Sequence, residues 1–172
     1  MRLLATLAVL IAAPVHAAMQ TTPYIALHAQ PQYSARGYMP YANPSAPKGG
    51  YITTAANGTF DNLNSMNGKG SAVDGVNYLF DSLMSSSLDE PGVMYPLLAE
   101  RVSFDPKNLS TVTFELNPQA KFSDGSAVTA QDVKFTFDAY LNKANPGLQM
   151  YLSDLARTEV LARHTVRMHL KS

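Results

Sequence analysis

Four histidines, thirteen acidic residues and no cysteine are the raw material for chemistry in this chain of 172 residues. Without cysteine there is no disulfide, no thiolate metal site, no thiol nucleophile and no lipid-bearing N-terminal cysteine. His16 lies in an apolar leader, and His28, His164 and His169 fit no HExxH or comparable ligand spacing. His164 and His169 have opposite parity along a strand, so they are read as surface histidines that share no face. Gly68-Lys69-Gly70-Ser71 hints at a phosphate loop, but Leu63 stands where the upstream glycine belongs and Gly70 where Ser or Thr would meet magnesium. Asp61-Asn62-Leu63-Asn64 starts like a calcium loop, yet Leu63 and Met66 occupy ligand positions. Asp89-Glu90 is a carboxylate pair inside the turn sequence Asp89-Glu90-Pro91-Gly92, where solvent suffices to explain it. No Gly-x-Ser-x-Gly elbow and no nucleophile with a base beside it occurs. The expectation is a protein that is not an enzyme and uses no metal and no cofactor.

Charge points the same way. Lys and Arg balance Asp and Glu at 13 each, and charged residues are 15% of the chain, against about 25% in an ordinary soluble domain. No basic patch marks a nucleic-acid partner. Hydrophobic residues at 46% are enough for a single core and argue against disorder. Met1-Arg2, the apolar run Leu3 to Ala13, Pro14, and the ending Val15-His16-Ala17 form the three parts of a secretory signal peptide cut after Ala17. The apolar run is too short for a bilayer, which takes about 20 residues, and no later stretch is longer. Residues 1–17 are therefore read as a leader, with export to a bacterial periplasm and no direct membrane insertion.

The elements that must position any site follow from spacing. From 18 to 50 apolar periodicity is missing and prolines fall at 23, 31, 40, 44 and 47, the pattern of an extended arm, with Tyr24, Tyr33, Tyr38 and Tyr41 to dock it. Residues 51–172 are read as one mixed α/β unit. Tyr51 to Ala56 predicts a strand, and the Asn-, Gly- and Ser-rich stretch Asn57 to Ser71 a long loop leaving its end. Val73, Val76, Leu79, Phe80, Leu83 and Met84 predict a helix over Ser71 to Met84, capped by Ser71 or Asp74. Ser85 to Leu88 reads as a short strand and Tyr95 to Ala99 as a helical turn. Val102 to Phe104 and Thr111 to Leu116 read as an antiparallel pair, with Val112, Phe114 and Leu116 on one side. Phe122 is taken as a strand end. Thr129-x-x-Asp132 ahead of an apolar run is a capping box that starts a helix at Ala130 and carries it to about Asn142. Asn145-Pro146-Gly147 ends that helix, a short turn covers Leu148 to Leu152, and two strands follow at Thr158 to Leu161 and Thr165 to Leu170.

Three stretches together resemble the family 5 extracellular solute-binding proteins of ABC importers. They are IALHAQPQY at 25–33 with PYANPSAPKGGYITTAANGTFDNLN at 40–64, YLFDSLMSSSLDEPGVMYPLLAERVSF at 78–104, and VTFELNPQAKFSDGSAVTAQDVKFTFDAYL at 112–141. The arm and the Leu-Asp-Glu-Pro turn are similar to the branch that takes up oligopeptides and microcin C-like peptides. Asn117 stands where the family usually carries Arg or Lys, and Ala29-Gln30 where it carries a Gly-acid pair. Members run to several hundred residues, so the resemblance covers only their N-terminal portion. It implies a partial periplasmic-binding-protein type II-like fold: the start of a first lobe with its small subdomain, and a second lobe missing. It also implies an oligopeptide as solute, an inner-membrane ABC permease as partner, and a cleft-facing loop at Gly58, Thr59, Phe60, Asp61 and Asn62. The rival reading is a small secreted protein-interaction module that binds no solute.

Overall fold

The computed structural model describes residues 19–26, 31–33, 38–39, 41–66 and 68–171. The leader expected over 1–17 and His28 lie outside the described residues. Among the described residues, eight strands form two antiparallel sheets, with two helices and a 3-10 turn. The strands are β1 (Gln20–Thr22), β2 (Ile25–Ala26), β3 (Met84–Ser86), β4 (Val93–Pro96), β5 (Ala99–Asp105), β6 (Asn108–Leu116), β7 (Leu155–Ala162) and β8 (Thr165–Leu170). The helices are α1 (Ala130–Lys143) and α2 (Pro146–Tyr151). The larger sheet runs β1-β5-β6-β8-β7 and the smaller β2-β4-β3. Mixed α/β is the class, as the sequence implied.

Register explains the core. Val102, Phe114, Val166 and Val160 align across β5, β6, β8 and β7, and Phe104, Val112, Met168 and Thr158 form the next row. Side chains two apart on a strand share a face, so these rows make one apolar face. Ala130 and Val133 of α1 pack on it, together with Met84, Ala99 and Leu116. The opposite face is polar: Ser103, Thr113, Arg167 and Glu159 align on it, with Thr111, His169 and Arg157 alongside. There Glu159 Oε2 lies 2.6 Å from His169 Nε2 and 3.4 Å from Arg157 Nη1. His169 is thus half-buried in an ion-paired row, and His164 Nε2 is buried without a partner among the described residues, so neither is the free surface histidine expected.

The helix start is as the spacing predicted. Thr129 N donates to Asp132 Oδ2 at 2.8 Å, Thr129 Oγ1 donates to the same oxygen at 2.6 Å, and the capping box is complete. Lys143 in the last turn complements the helix dipole. Asn145 then caps α2, its Oδ1 accepting from Leu148 N at 2.9 Å, with Pro146 in the first turn.

Four expected elements are corrected. Tyr51 to Ala56 is no strand: the segment is exposed throughout and pairs with nothing among the described residues, and a strand does not persist without a ladder partner. The helix over Ser71 to Met84 shrinks to a 3-10 turn at Val76–Leu79. Gly75 ahead of it takes a left-handed φ of 80° and provides no side-chain cap. Tyr78, Leu79 and Phe80 find no surface to bury them, and an isolated helix of this length is marginal without packing. Tyr95 to Ala99 is not a helical turn. Val93 and Tyr95 are buried while Met94 and Pro96 are exposed, a period of two that makes β4. Phe122 ends no strand; only an isolated bridge joins Lys121 to Ala127 there.

The first part of the arm joins both sheets. β1 closes the edge of the larger sheet against β5, and β2 closes the smaller against β4. Farther along, Tyr33 N donates to Tyr95 Oη at 3.2 Å, and Tyr33 Oη donates to Asp89 Oδ2 at 2.9 Å. Tyr95 Oη donates to Glu90, whose other oxygen accepts from Gln32 N at 2.9 Å.

Candidate functional site

The loop between residues 57 and 71 splits into an open half and a closed half. Gly58 has φ 104°, a left-handed conformation that glycine takes without a Cβ penalty, and a Cβ built on it would meet no atom within 4 Å beyond its chain neighbours. Thr59 and Phe60 are exposed as well. Among the described residues none hydrogen-bonds to the backbone of Gly58, Thr59 or Phe60.

Asp61 begins the closed half. Its N–H donates to Ser71 O at 3.0 Å, and its Oδ1 accepts from Ser71 N at 2.8 Å and from Asn62 Nδ2 at 2.8 Å. Asn62 Nδ2 also donates to Lys69 O at 2.9 Å, and Asn62 forms a parallel bridge to Ala72. Gly70 is required at this closure: it has φ 68°, and a Cβ there would stand 2.2 Å from Asp61 Oδ1. The loop is then pinned to the helices. Asn145 N donates to Met66 O at 2.8 Å, and a Cβ on Gly68 would stand 2.6 Å from Asn145 Cβ.

The five residues expected to face a solute are therefore brought together in sequence but divided in role. Gly58, Thr59 and Phe60 offer free backbone and one aromatic ring, while Asp61 and Asn62 spend their polar atoms holding the loop closed. Immediately beyond them, Leu63, Asn64, Ser65 and Met66 form one wall of a groove of about 520 Å³. Phe80, the α1 residues Phe135, Thr136, Ala139, Tyr140 and Lys143, and Ala144 just after α1 form the rest. None of these was singled out as a site from sequence. Their signal was present in α1, where Phe135, Ala139 and Lys143 recur at four-residue spacing away from the face that Val133 and Phe137 put on the sheet.

Beside the arm, three groups have shifted titration. The Ser87 hydroxyl, more than that of Tyr33, holds Asp89 below its ordinary value, and the bond to Asp89 holds the Tyr33 phenol above its own. Burial, then the bond to Glu90, raises Tyr95. Among the described residues no group of three or more His, Asp or Glu side chains could hold a metal ion. No helix among them is long and apolar enough to cross a membrane.

Residues 93–172 match the bacterial extracellular solute-binding proteins, family 5 Middle. The matched region runs from β4 through β8, and so includes α1 with its capping box. Curated relatives extend the similarity over most of the chain. The uncharacterized protein YejA of Escherichia coli K12 is 39% identical over 142 residues, covering 82% of this chain and 23% of that protein. Two proteins of Agrobacterium fabrum C58 match as well. The peptidoglycan-binding protein YepA is 40% identical over 152 residues, 83% of this chain and 25% of it. The probable peptide-binding protein YejA is 39% identical over 120 residues, 70% of this chain and 19% of it. Among solved structures, the binding protein AgaA in complex with agropinic acid is 31% identical, with a TM-score of 0.45 over 51% of this chain and 17% of that one. The chain belongs to the family 5 extracellular solute-binding proteins. It spans about a quarter of the length of the curated relatives it matches.

Proposed function

We propose that this chain is the substrate-binding component of an ABC importer for peptides, or a portion of one. In this reading it works in the periplasm, takes up an oligopeptide and delivers it to an inner-membrane permease. The observation that carries the peptide reading is the 39% identity to a relative described as a probable peptide-binding protein, over 70% of this chain. The geometry supports it: Gly58, Thr59 and Phe60 leave their backbone groups free, and an extended peptide is recognised by such groups. No catalytic step, cofactor, nucleic acid or direct membrane insertion belongs to this function.

The test suits weak binding. A single lobe cannot enclose a ligand, so affinity is expected in the millimolar range. Adding mixed oligopeptides at millimolar concentration should shift the amide resonances of Gly58 to Asn62, and Phe60→Ala should abolish the shifts. Shifts confined to other surfaces, or equal shifts with free amino acids, would refute the peptide site. A second reading, a secreted protein-interaction module, is favoured by one observation: Tyr78, Leu79, Phe80 and Phe135 all stand exposed. For export, mass spectrometry of the periplasmic fraction should find a chain beginning at Ala18. A chain that keeps Met1 would refute cleavage after Ala17.

A further inference from the structure

We propose that Asn57 is a site of spontaneous modification, converted to aspartate and isoaspartate through a cyclic imide with Gly58, while the other Asn-Gly pair of the chain, Asn67-Gly68, is protected. This goes beyond the peptide reading and does not rest on it.

The reaction joins the Gly58 backbone nitrogen to Asn57 Cγ. It needs an N–H that no acceptor holds, a following residue without a Cβ to block ring closure, and a backbone able to turn into the ring geometry. Asn57-Gly58 meets all of these. Both residues are exposed, and among the described residues none hydrogen-bonds to the Gly58 backbone or to the Asn57 side chain. Residues 51–56 ahead of the pair are exposed and equally free of hydrogen bonds, so the segment turns without breaking any packing.

Water is the only co-reactant. The Gly58 nitrogen bonds to Asn57 Cγ, the Cγ–Nδ2 bond breaks, and Nδ2 leaves as ammonia with the proton that the Gly58 nitrogen gave up. Water then opens the imide. Breaking the new N–Cγ bond gives aspartate, and breaking the original bond between the Asn57 carbonyl carbon and the Gly58 nitrogen gives isoaspartate, whose main chain runs through the side chain. Either product sets a carboxylate beside Thr59 and Phe60, in the open half of the loop, and turns a chain of zero formal charge negative.

Sequence alone makes the two Asn-Gly pairs equivalent, and the structure separates them. Gly68, whose nitrogen would attack in the second pair, has φ 65°, and a Cβ on it would stand 2.6 Å from Asn145 Cβ. Just before that pair, Met66 O accepts from Asn145 N at 2.8 Å and from Asn145 Nδ2 at 3.3 Å. Ring closure there must first loosen the loop from Asn145, the cap of α2. Of the other loop asparagines, Asn62 and Asn64 are not followed by glycine, and their side chains are bonded, Asn64 Oδ1 accepting from Met66 N at 2.9 Å.

Peptide mapping by mass spectrometry, on the folded chain held at neutral pH, tests this. Asn57 should convert at least about tenfold faster than Asn67, with isoaspartate among its products. In urea, where the loop closure is lost, the two rates should converge. Gly70→Ala, which disturbs the closure through Asp61, should quicken conversion at Asn67 and leave Asn57 unchanged. Gly58→Ala, at a position with open space around it, should slow conversion at Asn57. The proposal is overturned by no conversion at Asn57, by equal rates or a faster Asn67 in the folded chain, by aspartate as the sole product, or by a rate difference that persists in urea. Each of these is read on the unmutated chain, so none depends on the folding of a variant.

Discussion

Removing one oxygen atom, Tyr95→Phe, should show how firmly the arm is held. The Tyr95 hydroxyl donates to Glu90 and accepts from Tyr33 N, and both side chains are buried, at 5% and 6% exposure. Burial and the bond to Glu90 raise the phenol above its ordinary value, so it remains a donor at any pH of physiological interest. The substitution keeps the ring and its 6.3 Å contact with Tyr33 and opens no cavity. What is lost is the hydrogen bond to Glu90, whose buried side-chain carboxylate keeps Gln32 N as its partner among the described residues, together with the acceptor for Tyr33 N. Bonds to charged groups contribute about 1.5–3 kcal/mol, so the cost should be about 2 kcal/mol. For a chain of this size that lowers Tm by about 4–8 °C. Urea denaturation followed by circular dichroism measures the loss, and limited proteolysis between residues 33 and 50 should quicken with it. Tyr33→Phe is the control, since it removes only an exposed bond to Asp89 and should cost less than about 1 kcal/mol. If Tyr95→Phe shifts stability by less than about 0.5 kcal/mol, or no more than Tyr33→Phe does, the buried pair does not anchor the arm.

Thr129→Ala should destabilise α1 by about 1 kcal/mol in chemical denaturation, because it removes the cap hydroxyl from the box with Asp132. Acid should weaken the protein through Asp89 and Glu159. Both carboxyls are held below their ordinary values, by Ser87 foremost and by His169 foremost. A depressed carboxylate contributes stability above its unfolded value and loses it as pH falls through the lower folded one. Denaturation midpoints for wild type should therefore fall below pH 4.5, the ordinary glutamate value, and fall less for Glu159→Gln. Gly70→Ala places a Cβ 2.2 Å from Asp61 Oδ1 at a φ of 68°. Exchange of the Ser71 amide should accelerate at least about tenfold, and an unchanged rate would show that the closure does not depend on Gly70.

Local chemistry made part of this fold readable and distance hid the rest. The β5–β6 and β7–β8 pairs join neighbours through short turns, and α1 carries its start signal within four residues, so each could be placed from its own sequence. β1 and β2 could not: they are three and two residues long, and Thr21 meets Ser103, 82 positions away. The short β4 hid behind residues that also suit a helical turn, and only its alternation of burial reveals it. Tyr51 to Ala56 and Ser71 to Met84 erred in the opposite sense, with a correct pattern and no surface to act on. In the candidate site the Asn- and Gly-rich loop was legible as a loop. Its division into an open Gly58–Phe60 and a closed Asp61–Ser71 was not, because that depends on which carbonyl each Asn and Asp side chain finds.

The passage of one chain segment through both sheets has a consequence for how the molecule comes apart. Gln20–Thr22 closes the larger sheet and Ile25–Ala26 the smaller, with only Pro23 and Tyr24 between them. Release of either edge should strain the other, so the two sheets are expected to melt as a single cooperative unit although each has its own strands. A tension applied at the N-terminus would load both edges at once, and cutting the backbone between residues 22 and 25 would turn one transition into two.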